Sequence, residues 1–239
     1  MKKLFTLLAL TITFSMNAQM SDNSSSTSAT GTSAVAMGGG TTASGSHSTA
    51  MGLATTASGL ASTAMGRSTT ASGGYSTAMG RNTTASDFGL VAIGQYNSSG
   101  SSVTNNAISF STSNTAFVIG NGTASNAKSD AFKVMFNGDT TVSNDLTVSG
   151  DVNISSDARL KSNIVSLGST LPKLLLIDGK SYEMKGKQKI GVLAQEIKEV
   201  FPELVSEDDN EMLAVNYQGL VPVLINALKE QQSEIDRLK

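Results

Sequence analysis

The residues with the clearest chemical potential are Ser156 and Lys161, in the run Ser156-Asp157-Ala158-Arg159-Leu160-Lys161-Ser162-Asn163-Ile164. A serine hydroxyl is a weak nucleophile until a base takes its proton. A lysine amine can be that base only when neutral. Free lysine has a pKa of about 10.4, and loss of solvent favours the neutral form. On a helix, a spacing of five would turn the two side chains about 140° apart. A loop or strand must therefore bring them together. The competing reading is a helix-capping Ser156 and a solvated Lys161. Asp157 and Arg159 form a structural ion pair or orient the site. Glu196 either supports Lys161 or is an ordinary solvated helix carboxylate.

This run is also a boundary. Before it the chain is nearly uncharged and rich in Gly, Ser, Thr and Ala; after it the composition is mixed and charged. The 239 residues carry a net charge of −2, enough for one or two domains and without a basic stripe for nucleic acid. Aromatic residues are 5% and Trp is absent, which argues against one large core. With no Cys, disulfides, thiolate catalysis and Cys-based metal sites are excluded. The lone His47 lies in a Gly/Ser-rich repeat without partner ligands, so it is read as structural or solvent-exposed. No cofactor or metal motif is present.

The N-terminus carries Lys2 and Lys3, then an apolar stretch from Leu4 to Phe14, then Ala18. That is the pattern of a secretory signal over 1–18, cut before Gln19. The alternative, a membrane anchor, needs a longer apolar run. No later stretch is apolar enough to span a membrane, so the mature chain is expected to be secreted or at the cell surface, without a membrane span. Residues 19–30 read as a flexible lead-in.

A fixed period follows. Met37-Gly38, Met51-Gly52, Met65-Gly66, Met79-Gly80 and Ile93-Gly94 fall fourteen residues apart. So do Thr42-Ala43-Ser44-Gly45, Thr56-Ala57-Ser58-Gly59, Thr70-Ala71-Ser72-Gly73 and the degenerate Thr84-Ala85-Ser86-Asp87. Composition alone would permit disorder; a conserved phase within the chain argues for stacked coils. Each coil is expected to supply two short strands, with Met or Ile and the neighbouring Ala pointing inward. Gly would serve at turns or at close backbone approaches. From Gln19 to Ala127 the only charged residues are Asp22, Arg67, Arg81 and Asp87. Two scattered Asp make a poor pair for glycoside hydrolysis. The segment is either a binding surface for a glycan or surface-protein ligand, or a passive spacer.

Residues 98–154 hold short alternating runs. Ala116–Gly120 and Ala131–Phe136 read as strands, with Asn137-Gly138-Asp139 as a turn. Leu146-Thr147-Val148 and Val152-Asn153-Ile154 alternate apolar and polar. Such pieces suit a β stalk in which several chains share a core. Farther on, Ile190–Phe201 reads as a strand entering an amphipathic helix that stops at Pro202. Glu207–Asn210 reads as a polar turn and Met212–Tyr217 as a strand. The last helix has Val221, Leu224, Leu228, Gln231, Ile235 and Leu238 in steps of three and four. That is a heptad seam, or an ordinary surface helix with an apolar stripe. It is too short to be stable alone.

Two resemblances follow from these motifs. The repeats over 31–97, such as Ser48-Thr49-Ala50-Met51-Gly52 and Ser62-Thr63-Ala64-Met65-Gly66, resemble the head of YadA-like trimeric adhesins. That resemblance implies a left-handed parallel β-roll assembled as a trimer. Those adhesins end in a membrane β-barrel anchor, a pattern not read in this sequence, so surface anchoring by that route is not expected. Residues 155–239 resemble the intramolecular chaperone domain at the end of phage endosialidases and tail fibres, peptidase family S seventy-four. The matching motifs are Ser156–Ile164, Gly191–Glu196 with Val200-Phe201-Pro202-Glu203, Leu213–Tyr217 and Leu220–Leu224. This resemblance implies trimer assembly followed by self-cleavage, with Ser156 as nucleophile, Lys161 as general base and Ser155–Ser156 as the scissile bond.

The expected protein is multidomain. An all-β left-handed parallel β-roll (31–97) and β stalk (98–154) precede an α+β chaperone domain (155–239) ending in a short coiled-coil helix. The whole is a homotrimeric fibre whose partner is itself. The alternative is a structural or adhesive fibre whose last domain trimerises without cutting. A phage-type fibre fits less well with an export signal.

Overall fold

The computed structural model describes residues 26–208 and 211–239. The expected signal segment, most of the lead-in, and Asp209 and Asn210 of the polar turn lie outside the described residues. The chain divides into two compact units, one ending at Val152 and the other spanning Asn153–Lys239.

The first unit is built from fourteen-residue coils, each with one short and one long strand. The short strands are β1 (Ser28–Ala29), β3 (Thr42–Ala43), β5 (Thr56–Ala57), β7 (Thr70–Ala71) and β9 (Thr84–Ala85). They form a five-stranded parallel sheet in that order. The long strands are β2 (Val35–Met37), β4 (Thr49–Leu53), β6 (Thr63–Arg67), β8 (Thr77–Arg81) and β10 (Val91–Gln95). They lie parallel in a second sheet, in which Met51 faces Met65 and Met65 faces Met79. The sequence period is therefore the hydrogen-bond register: one repeat advances the chain by one strand. The roll begins earlier than expected, because Ser28–Ala29 of the presumed lead-in already pairs with Thr42–Ala43.

The interior differs from the expected one. Ala36, Ala43, Ala50, Ala57, Ala64, Ala71, Ala78 and Ala85 are fully buried, whereas Met51, Met65, Met79 and Ile93 are only half-buried and Met37 is exposed. Residues alternate between the faces of a strand, so Ala50 and Met51 cannot both point inward. The space between the sheets holds methyl groups, and Met is left on the outer face. Coil corners fall every seven residues, with left-handed φ at His47 (59°), Ala54 (54°), Ala61 (49°), Ser68 (54°), Tyr75 (58°) and Asn82 (52°). None of these is β-branched, the class that tolerates such φ values least. His47 is exposed at its corner.

Coils pack backbone against backbone. A Cβ on Gly59 would lie 2.0 Å from the carbonyl oxygen of Gly73, and one on Gly66 (φ +118°) would lie 2.1 Å from that of Gly80. The same rows show how the stack ends. Asp87 occupies the place of Gly73 one coil later, and its buried carboxylate accepts from the backbone N–H of Thr104 (2.6 Å) and Thr115 (2.9 Å). Asn97 falls fourteen residues after Thr83. Its amide accepts from Thr84 N–H (2.8 Å) and donates to Thr84 O (2.8 Å), pairing the edge that a further coil would otherwise cover.

Beyond Gln95 the long-strand sheet continues. It adds β11 (Thr115–Asn121) in parallel and β12 (Asp130–Met135) and β13 (Thr140–Val142) antiparallel. The expected strands and Asn137–Asp139 turn are present, but they extend the roll's own sheet. No strand forms at Leu146–Val148 or Val152–Ile154, whose apolar side chains are exposed.

The second unit has α1 (Leu171–Leu174), a hairpin of β14 (Lys180–Met184) and β15 (Lys187–Gly191), and α2 (Ala194–Val200). It continues with a hairpin of β16 (Val205–Glu207) and β17 (Leu213–Val215), and ends in α3 (Leu220–Arg237). Ile197, Phe201 and Val223 form its small core, with Leu174, Ile177, Val192 and Val215 packed around them. Helix α3 turns Val223 and Ala227 inward. Its seam residues Val221, Leu224, Leu228, Ile235 and Leu238 are 45–76% exposed.

The Gly contacts carry a prediction. Gly59→Ala should destabilise the roll by on the order of 3 kcal/mol, because the added methyl meets backbone that cannot yield. Gly150→Ala, where nothing lies within 4 Å, should leave the denaturation midpoint unchanged. Thermal or urea unfolding followed by circular dichroism measures both.

Candidate active site

Ser156 and Lys161 meet. Lys161 Nζ donates to Ser156 Oγ at 2.7 Å. The five-residue spacing works because the intervening chain is a tight 3-10 turn, Ala158–Leu160, and not an α-helix. Asp157 caps that turn in an extended conformation, with its carboxylate accepting from Arg159 N–H at 2.8 Å. Leu160 N–H donates to Asp157 O and Lys161 N–H to Ala158 O, each at 3.1 Å. Lys161 then leaves in extended geometry. One reversal of the chain thus carries the amine back over the hydroxyl.

Asp157 and Arg159 are an ion pair. The guanidinium Nη2 lies 2.7 Å from Oδ2, and Nε donates to Oδ1 at 3.0 Å. The Arg159 side chain, and then its backbone N–H, hold the Asp157 carboxyl below the usual range; Asp157 in turn holds the guanidinium proton more firmly. Both side chains are solvent-accessible, so the pair itself adds little stability. It holds the shape of the turn.

Glu196 lies elsewhere. Its carboxylate is 3.4 Å from Lys180 Nζ and accepts from Asp178 N–H at 3.2 Å, while Lys180 also pairs with Asp178 at 2.6 Å. Within the chain it supports the start of the β14–β15 hairpin and is not a partner of Lys161.

Ser155, Ser156 and Lys161 are all exposed. An open cleft of about 340 Å³ does exist in this unit, lined by Tyr182, Gln195, Met212 and Tyr217 among others, but neither Ser156 nor Lys161 borders it. The pair therefore has geometry and lacks enclosure. The single chain leaves both side chains open to solvent.

Sequence reasoning missed one anchoring contact. Glu230 of α3 accepts from Ser169 Oγ at 2.7 Å, from Leu171 N–H at 3.3 Å, and from Thr170 N–H. Thr170 is buried, and its hydroxyl donates to Val223 O at 2.9 Å. A helix carboxylate fixing a loop about sixty residues away leaves no periodic trace in sequence.

With the geometry established, the comparisons bear on both units. Residues 156–206 match the family described as chaperone of endosialidase, a match that begins at Ser156. Residues 29–54 and 57–83 match two copies of the YadA head domain repeat. No curated protein matches the chain. The chain thus carries, in order, a stretch similar to YadA head repeats and a stretch similar to the chaperone of endosialidase. Among the described residues, no helix is long and apolar enough to cross a membrane.

The Glu230 clamp predicts a pH dependence. Ser169's hydroxyl chiefly, then the Thr170 N–H, hold the Glu230 carboxyl below its ordinary value of 4.5. Its stabilisation is complete above that value and is lost as pH falls through the lower folded value. Glu230→Gln should lower the thermal midpoint of the second unit at neutral pH. It should also flatten the decline that wild type shows below about pH 4.5. Calorimetry across that range measures both effects.

Proposed function

We propose that this chain is an exported homotrimeric fibre whose last domain assembles the trimer and then cuts itself off between Ser155 and Ser156. The head is a left-handed β-roll that presents a surface to a ligand. The observation that carries the reading is the 2.7 Å contact between Lys161 Nζ and Ser156 Oγ at the first residue of the chaperone match.

In this reading the neutral Lys161 amine takes the Ser156 hydroxyl proton. The oxygen attacks the Ser155 carbonyl carbon and the Ser155–Ser156 C–N bond breaks. Lys161 returns the proton to the departing nitrogen, leaving an ester between the Ser155 acyl group and Ser156 Oγ. Water hydrolyses the ester, so Ser155 ends as a carboxylate and Ser156 as a new N-terminus. The reactive bond is adjacent in the chain, so no substrate has to be captured.

Enclosure by neighbouring copies supplies the missing desolvation. The exposed α3 seam and the half-buried Met face of the roll are both surfaces that further copies would cover. Cutting is then tied to assembly, because an isolated chain leaves Lys161 in water. The competing reading, a fibre whose last domain trimerises without cutting, draws on that same exposure.

Two outcomes are expected. On a denaturing gel the full chain should yield a fragment beginning at Ser156, identified by N-terminal sequencing. Ser156→Ala and Lys161→Ala should each slow its appearance by at least about 100-fold. An uncut wild type, or a Ser156→Ala chain cut equally well, would remove the autoprotease and leave the trimeriser. Separately, Leu224→Glu with Leu228→Glu should convert the trimer to smaller species in sedimentation and suppress cutting, although Ser156 and Lys161 are intact.

A further inference from the structure

Arg67 and Arg81 end adjacent long strands of the roll and lie directly opposite each other in register. Neighbouring strands are about 4.8 Å apart, so the two arginines leave adjacent rungs of one column. Both are exposed. Like charges directly opposite on a sheet destabilise it. Among the described residues neither has a carboxylate partner. The only acid between residues 26 and 127 is Asp87, whose buried carboxylate is engaged by Thr104 and Thr115. The exposed charge of this stretch is therefore wholly positive, in a protein whose net charge is −2.

The surroundings define the chemistry further. The guanidinium of Arg81 lies over the ring of Tyr96, 5.6 Å from its centroid, which tethers one of the two cations. The column continues through Gln95 and Asn121 in the same register. Ser68 and Asn82 follow Arg67 and Arg81 at the coil corners. Forked cations flanked by hydroxyl and amide groups suit sulfate or carboxylate groups carried on a hydroxylated polymer. A nucleic acid fits less well, since the one aromatic face there is taken by Arg81 and no platform remains for bases.

We propose that the Arg67–Arg81 ladder is a binding site for an acidic polysaccharide, whose oxyanions neutralise the paired guanidinium groups. Successive oxyanions along an extended chain meet the two cations on adjacent coils. In a trimer the ladder occurs three times, which multiplies a weak contact into an avid one. The inference names the ligand class of the head in the fibre proposed above and is independent of self-cleavage.

The test uses the full chain with dextran sulfate as probe, and neutral dextran and a random DNA duplex as comparators. Wild type should bind dextran sulfate with an affinity that falls steeply with salt, and should bind neutral dextran negligibly. Arg67→Gln with Arg81→Gln should weaken dextran sulfate binding at least about tenfold. Dextran sulfate should raise the thermal midpoint of wild type and not that of the double variant. Lys187→Gln with Lys189→Gln, in the second unit, should bind as wild type does. Without ligand, the double Arg variant should have a midpoint at or above that of wild type, because it relieves the like-charge pair, which separates lost binding from lost folding. Equal binding by the double Arg variant, loss of binding in the Lys variant, or tighter binding of DNA would overturn the proposal. Sedimentation and the gel for Ser156 report trimer and cutting separately, so failure of the fibre reading is distinguishable.

Discussion

The structure depends on how closely one coil can approach the next. Adjacent coils touch through backbone, and an added Cβ on Gly59 or Gly66 would fall about 2 Å from a neighbouring carbonyl oxygen. That approach fixes the residue types on the inner face. Inside the coils Ala43, Ala50 and their equivalents are fully buried beside small Thr residues such as Thr55 and Thr69, with Leu90 and Val118 as the larger buried side chains. The stack therefore gains its order from hydrogen-bond ladders and small methyl contacts. A core of methyl groups buries little apolar area per residue, and stabilisation scales with that area.

That limit leads outward. Met51, Met65 and Met79 cannot be inside, so they form a half-buried row on the outer sheet. In the second unit Leu224 and Leu228 of α3 are similarly left exposed while Val223 and Ala227 face the core. Both units thus carry apolar surface that their own chain does not cover. Repeat architectures with thin cores need neighbours, within the chain or from other chains. In the proposed fibre a dedicated assembly domain would answer that need, because thin rolls gain stability only once copies meet.

Much of this was legible in the sequence, and the limits have physical causes. The fourteen-residue period translated directly into register, because a strict phase is what a parallel ladder requires. The degenerate unit marks a change of packing: Asp87 stands where the preceding coils carry Gly, and the segment that covers it binds its carboxylate through Thr104 and Thr115. The inward placement of Met was misread. Periodicity locates a column without saying which face it occupies, and the neighbouring Ala column has the same period. The pieces at Leu146–Val148 and Val152–Ile154 alternate like strands, yet alternation describes a surface only when a partner strand exists. Glu230 was invisible because its partners, Ser169 to Leu171, are distant in sequence.

The proposed catalytic pair illustrates a split between geometry and environment. The tight turn at Ala158–Leu160, held by the Asp157–Arg159 pair, is local, so one chain suffices to bring Lys161 to 2.7 Å from Ser156. Removing water from that amine is not local and needs surfaces the single chain does not supply. Position is thus set by five residues, whereas basicity would be set by assembly. This division is what a self-limiting cut requires. A pair already enclosed in the single chain would act before the trimer formed and would detach the assembly domain from an unassembled roll. A pair that was distant until assembly would add a second slow rearrangement to trimer formation. In the proposed fibre, preformed contact with absent enclosure would avoid both, and the solvent around Lys161 would change only when copies meet.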